Sequence, residues 1–361
     1  MVRVMLCQPY TKLALLTVII LISVVSAAQE VRIGVLGLFH PQEFQLEPSK
    51  GSALIIHAGS DTIILEKTSD RSRAAIKRGG TEVLLSAGKR TYRASEITVT
   101  SRQNGSPDFL LTVPGKITRH YHGTLSVGSH TGALSAVVTM GLETAVASVV
   151  AAESAGDTPS EALKAQAIAT RSYFVAGRGR HHDFDFCDTT HCQYLREPPP
   201  ENSPAAQAAK ATRGLVLAYK DETIAAMYTR SCSGRTQTPE DVGMSSAQYP
   251  YYEVECKYCR QHPSRWQSRI SEAEPLISAN ESSRLRVDRR LGWNAVPSND
   301  FVMQKEGENT VLRGIGQGHG IGLCQAGSKA MAEEGADFRK ILLHYYPNTT
   351  VIAMGGEPAE R

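Results

Sequence analysis

Three groups of residues in this 361-residue chain have the types and spacing to do chemistry. The first centres on one carboxyl, Glu153, which continues the apolar series Leu142, Val146, Val149 at helical spacing. That spacing puts it on the apolar face of a helix, near the C-terminal end. Apolar surroundings and the negative end of the helix dipole both favour the neutral acid there. A carboxyl still protonated near neutral pH is what protonation of a glycosidic oxygen requires. The plainer reading is a solvated glutamate at a frayed helix end, since exposed Glu is the norm. Gln166, Arg171 and Tyr173 follow on the next helix. A buried Arg171 would be able to orient a carbonyl or a sugar hydroxyl; the commoner case is an arginine pointing into water.

The second group is His181-His182-Asp183-Phe184-Asp185-Phe186-Cys187-Asp188-Thr189-Thr190-His191-Cys192, the densest run of metal-capable side chains in the chain. Zinc takes imidazole nitrogen and thiolate sulfur in a tetrahedral set, and this segment offers three or four such ligands. Cys256-x-x-Cys259 offers two more. Disulfides are the rival use of the same thiols. The third group is Gly314-Ile315-Gly316-Gln317-Gly318-His319-Gly320-Ile321-Gly322-Leu323-Cys324-Gln325. Glycines flanking one histidine let backbone approach a ligand closely. A phosphate loop is excluded by the missing Lys-Ser/Thr pair, and no βαβ frame surrounds the segment as a dinucleotide fingerprint needs.

The elements that must position these groups are legible in part. Residues 29–115 read as a β-rich module, with strands at Val31–Leu36, Ala53–Ile56, Thr62–Leu65, Glu82–Leu85 and Ile97–Thr100. Strand-like segments with glycine turns continue to residue 140, and then the helical period carrying Glu153 begins. The next helix has Thr158 as N-cap, Pro159 at its first position and Glu161 closing a capping box, with its stop near Gly177 or Gly179. Ala205–Thr212 is helix-prone, Leu215–Tyr219 reads as a strand, and Ala326–Glu334 as a helix. Residues 260–312 are polar and carry no clear period. The fold class is therefore α+β, a mixed β-rich and helical domain over 116–351 preceded by the small β-rich module, with 352–361 as a tail.

Residues 1–28 carry Arg3 and Lys12, an uncharged run from Leu13 to Val25, and Ser26-Ala27-Ala28 as a small-residue cleavage site. They read as a secretory signal, shorter than the ~20 apolar residues of a membrane span, so the mature chain is expected to be exported and to lack a transmembrane anchor. The whole chain holds 39 basic and 36 acidic residues, a balance that gives no electrostatic case for nucleic acid. Of seven cysteines one lies in the signal, leaving an even set in an exported chain.

Taken in order, the segments Leu142–Glu153, Pro159–Tyr173, Cys187–Gln193, Ala211–Gly214, Ser231–Gly234 with Thr236, Gly318–Gly327 and Ile341–Pro347 resemble the SpoIID/LytB family. The resemblance spans about residues 116–351. It implies a lytic transglycosylase acting on peptidoglycan glycan strands stripped of their peptides, with Glu153 as the acid and Arg171 and Tyr345 important for activity. It further implies substrate contacts from Gln166, Ser231, His319, Gln325 and Tyr346. The Cys187–Cys192 region is similar to one that binds zinc in some members, which implies a structural zinc on His182, Cys187, His191 and Cys192. Two departures stand out: Ser233 where the family more often has glycine, and the pair His181-His182, which leaves a ligand ambiguous. Ordinary glycosidases generally use two carboxylates. A transglycosylase uses the sugar's own C6 hydroxyl as nucleophile, so one acid suffices. Some relatives are instead non-catalytic wall-binding proteins that recruit or enhance a cell-wall amidase. A zinc peptidase is disfavoured because no H-E-x-x-H occurs.

Overall fold

The computed structural model describes residues 29–354, apart from 50, 70, 131, 246–248 and 272–279. The signal assigned to 1–28, and residues 355–361 of the tail, lie outside the described residues. Strands and helices are both abundant, and the fold is α+β as expected.

Two antiparallel sheets face each other across one core. The first orders its strands Phe186–Cys187, Glu30–Val35, Ala133–Gly141, Thr124–His130, Glu96–Ser101, Ala53–Ala58 and Asp61–Glu66; only the Phe186–Cys187 pairing is parallel. The second runs Ile117–His122, Asp108–Val113, Glu43–Pro48, Ala74–Gly79, Glu82–Ala87 and Arg90–Ala94. Alternation explains the facing: Val83, Leu85 and Ala87, like Phe109, Leu111 and Val113, point inward while their neighbours stay wet. No break in pairing falls at residue 115. Thr124–His130 pairs with Glu96–Ser101, and Ala133–Gly141 pairs with Glu30–Val35.

The helical part grows out of the first sheet. Helix α1, Leu142–Glu153, follows the strand Ala133–Gly141 without a loop. Helix α2, Ser160–Ala176, is buried on nearly every side. Its Leu163, Ala167 and Phe174 join the sheet core, while Ala165, Ile168 and Ala169 face a second core. That is why α2 shows no single apolar stripe, as a helix packed all round has none. Helix α3 is Pro204–Ala211, capped by the Ser203 hydroxyl on the Ala206 N–H, and α4 is Lys257–Gln261. Helices α5, Glu281–Leu291, α6, Gln325–Glu333, and α7, Phe338–Tyr345, complete the set among the described residues. The strand Thr350–Ala353 pairs with Leu215–Tyr219, so ordered structure runs past residue 351. Among the described residues no helix is long and apolar enough to cross a membrane.

The expected capping box at α2 does not form. Pro159, not Thr158, is the cap, and the Thr158 hydroxyl donates to the Ala155 carbonyl. Glu161 instead accepts from the Phe338 N–H at 2.9 Å and pairs with Lys164, tying α2 to α7. A tertiary partner has taken the carboxyl that local pattern assigned to the helix start. The stop at Gly177 is as expected. Residues 260–312 hold α5 and a three-stranded sheet, Arg265–Ser271, Asn309–Ile315 and Phe301–Glu306. Helix α5 was illegible because its buried face is largely Glu281, Ser283, Arg284 and Asp288.

Candidate active site and metal centre

Glu153 is the last residue of α1 and opens onto two neighbouring cavities, of about 530 and 180 Å3. Arg230 lines both as well. The larger cleft is walled by Tyr194, Tyr228, Arg284, Trp293, Gln317 and His319; the smaller by Gln166, Gln325 and Lys329. Burial pushes the Glu153 carboxyl from an ordinary 4.5 up to about 7. The Tyr194 N–H on Oε1 at 3.0 Å and the charges of Arg230 and Arg196 oppose that rise without cancelling it. The acid is thus poised between its two forms near neutral pH, where proton donation and return are both accessible.

A second carboxylate, Glu281 at the start of α5, also lines the larger cleft. Burial would raise it too, but Arg284 binds it in a fork at 2.8 and 2.7 Å and Asn299 adds a bond at 2.8 Å, holding it below its usual range. Its oxygens are committed to these partners, so it serves the wall and not proton transfer. Tyr194, Tyr228, Arg230 and Glu281 were not singled out from the sequence. The Arg230-Ser231 step beside a recognised motif was the one available signal.

The structure divides the sequence-derived site residues. His319 lines the larger cleft; its Nδ1 accepts the Ile321 N–H at 3.0 Å, and burial lowers its pKa, so the imidazole is held neutral. The loop carrying it is pressed onto Tyr228–Thr229. A Cβ on Gly318 would sit 2.5 Å from the Thr229 hydroxyl, and one on Gly322 2.0 Å from the Met227 carbonyl, both at positive φ. Gln166 and Gln325 meet across the smaller cavity, amide to amide at 3.4 Å.

The structure places four other expected residues away from both cavities. Arg171 lines neither cavity. It is fully buried, with its Nε and Nη2 on Glu143 at 2.9 and 2.7 Å and further bonds to the Leu215 and Ala209 carbonyls. Those partners consume its fork, so it joins α1, α2, α3 and a strand. Tyr345 is buried at the end of α7, its hydroxyl 3.5 Å from the Cys256 sulfur. Tyr346 is buried too, donating to the Met227 carbonyl at 2.5 Å. Ser231 lies behind the wall, bridged backbone to backbone with Gln317. None of the three reaches either cavity.

At the metal-capable segment, His181, Cys187, His191 and Cys192 bring their ligand atoms within 4.8 Å of one another. The His181 Nε2 is 3.2 Å from the Cys192 sulfur, and the His191 Nδ1 is 3.7 and 3.6 Å from the sulfurs of Cys187 and Cys192. His182 is corrected: its side chain is 95% exposed and turns to Asp183, away from the cluster. The hydrogen bond between the two thiols pulls Cys187 down and Cys192 up, so the pair shares a proton, and burial pulls His181 toward neutral imidazole. The geometry of this two-nitrogen, two-sulfur set suits zinc. The segment is anchored by parallel pairing of Phe186–Cys187 with Ile33–Gly34 and by Asp188, which takes Arg119 at 2.5 Å and the Tyr121 hydroxyl at 3.3 Å.

Residues 130–219 match the family model described as Stage II sporulation protein, SpoIID. That span holds Glu153, Arg171 and the His181–Cys192 cluster. An uncharacterized protein of Brachyspira hyodysenteriae is 28% identical over 267 residues, covering 64% of this chain and 72% of that one. Stage II sporulation protein D of Bacillus subtilis is 24% identical over 277 residues, covering 63% and 79%. The Amidase enhancer of Bacillus subtilis is 24% identical over 273 residues; the match spans 54% of this chain but only 38% of that protein.

Proposed function

We propose, from the premise that these matches support the SpoIID/LytB family for this chain, that it is an exported cell-wall protein and a peptidoglycan lytic transglycosylase. The observation that carries the reading is Glu153, an acid of pKa about 7 on the seam between two cavities. A polymer cut in its middle needs room on both sides of the acid, and two cavities sharing Glu153 provide it.

Glu153 donates its proton to the oxygen joining N-acetylmuramic acid to N-acetylglucosamine. As that C–O bond breaks, positive charge develops at the muramic C1. The C6 hydroxyl of the same sugar attacks C1 and loses its proton to the Glu153 carboxylate, which restores the acid and leaves a 1,6-anhydro end. The carboxylate formed in between is held by the Tyr194 N–H and faces Arg230 and Arg196. Trp293, Tyr194 and Tyr228 give the cleft aromatic surface for sugar rings, and the surrounding polar groups suit hydroxyls and acetamides. His181, Cys187, His191 and Cys192 would hold a structural zinc. It would stiffen the loop that presents the Tyr194 N–H to Glu153.

A second reading has one observation in its favour, the relative named Amidase enhancer. On it the cleft binds glycan without cutting and the chain recruits or enhances a wall amidase. Mass analysis of products from purified, peptide-free glycan decides between them. Anhydro-ended fragments support cleavage. Retained binding with no product from any glycan moves the assignment to the amidase partner.

A further inference from the structure

Four cysteines from three separate stretches of the chain, Cys232, the pair Cys256 and Cys259, and Cys324, converge outside the span matched by the family model. All are buried, and their sulfurs lie within 4.8 Å of one another. Cys232 follows the cleft residue Arg230, Cys256 and Cys259 bracket the first turn of α4, and Cys324 caps α6 just after the glycine loop that carries His319. We propose that these four thiolates form a second, structural zinc site that locks the wall of the cleft.

The spacing favours one ion over two disulfides. Cys259 and Cys324 sulfurs are 3.5 Å apart. A tetrahedron with Zn–S near 2.3 Å has sulfur–sulfur edges of about 3.8 Å, whereas a disulfide needs about 2.0 Å. An iron–sulfur cluster, with its inorganic core, needs wider spacing than this group allows. Cys256-x-x-Cys259 at a helix start is a chelating pair, and Cys232 and Cys324 supply the other two corners.

The surroundings are those of thiolates. The Cys324 sulfur accepts the backbone N–H groups of Cys232 and Gly327, each at 3.4 Å. The Tyr345 hydroxyl reaches the Cys256 sulfur at 3.5 Å. Such donors offset the excess negative charge of four thiolates on one divalent ion and fix ligand orientation. Gly327 is required by the same packing, since a Cβ there would sit 2.0 Å from the Tyr345 hydroxyl and 2.5 Å from the Cys256 sulfur. Four protein ligands leave no open position, so the ion is structural. Its role is to tie the Arg230 wall and the His319 loop to α4 and α6. The site stands on its own geometry and does not depend on which reading of the cleft holds.

The test is a metal count and disulfide map on the full chain, purified without reductant and without added metal, by elemental analysis and native mass spectrometry. The decisive sample is the Cys187→Ser, Cys192→Ser chain, in which the other cluster is disabled. One zinc per chain in it, lost in a chain that also carries Cys256→Ser and Cys259→Ser, supports the site. Cobalt exchanged into the Cys187→Ser, Cys192→Ser chain should give strong thiolate-to-metal charge-transfer bands, a readout that needs no further variant. Absence of metal from that folded chain overturns the proposal. So do disulfides mapped among the four cysteines, or iron with acid-labile sulfide.

Discussion

At the scale of single residues, the proposed cleavage rests on Glu153 and its protonation. Glu153→Gln keeps the shape of the neutral acid and cannot give up the proton. Glycan cleavage should fall by ~10²–10⁴-fold or more while glycan binding survives, measured by product mass analysis and a pull-down on insoluble glycan. Normal cleavage by this variant would show that another group is the acid. Turnover should also decline as pH rises through about 7, where the carboxyl loses its proton. Stability follows with a definite sign. The folded pKa is raised above the ordinary 4.5, so the folded state holds the proton more tightly. The stability this confers is complete below pH 4.5 and is lost as pH climbs through 7. Wild type should therefore lose stability relative to Glu153→Gln across that window in thermal melts. Parallel pH curves for the two would argue that the carboxyl is not buried enough to matter.

At the scale of elements, Arg171 and Gly34 show how the cleft is held. Arg171 clamps α1, through Glu143 in its first turn, to α3 and the strand Leu215–Tyr219. Arg171→Ala strips a largely buried ion pair of one partner and takes a donor from the Leu215 and Ala209 carbonyls, a loss of about 3 kcal/mol in urea unfolding. Activity should fall with stability, and Arg171→Lys should not restore either, because an ammonium cannot make the fork. An Arg171→Lys chain of wild-type stability that has lost only turnover would contradict the positioning role. Gly34 sits where the first strand carries the metal segment, and a Cβ there would lie 2.5 Å from the Phe184 ring. Gly34→Ala should cost about 1–3 kcal/mol and loosen the segment, raising the rate at which a chelator strips zinc loaded onto the proposed His181–Cys192 site. An unchanged rate would mean that the strand does not brace the cluster.

At the scale of the whole molecule, the β-rich part is a platform for the site. The sheet that includes Glu30–Val35 also includes the strand leading into α1 and the Phe186–Cys187 step of the metal segment. Deleting residues 29–115 would leave Thr124–His130 and Ala133–Gly141 paired only with each other, strip each of its outer neighbour, and uncover the apolar face they share with the second sheet. Such a chain should be insoluble or unfolded by circular dichroism and proton NMR. A folded, cooperative 116–361 fragment would show that the platform is dispensable.

Much was legible in the chain before folding. Periodicity located α1 and put Glu153 on its inner face, glycine marked the end of α2, and alternation exposed several β strands. These are local properties, set by side chains a few residues apart. The polar face of α5, the true partner of Glu161 and the choice of His181 over His182 were not legible, because each depends on what packs against it. Arg171 reads the same in sequence whether it faces substrate or a buried glutamate; only burial and a committed fork distinguish the two. The same limit applies to the four converging cysteines. Cys232 and Cys324 stand 92 positions apart yet meet at 3.4 Å from nitrogen to sulfur. Chain spacing says nothing about such a meeting, since it is the packing of α4, α6 and the glycine loop that closes the distance.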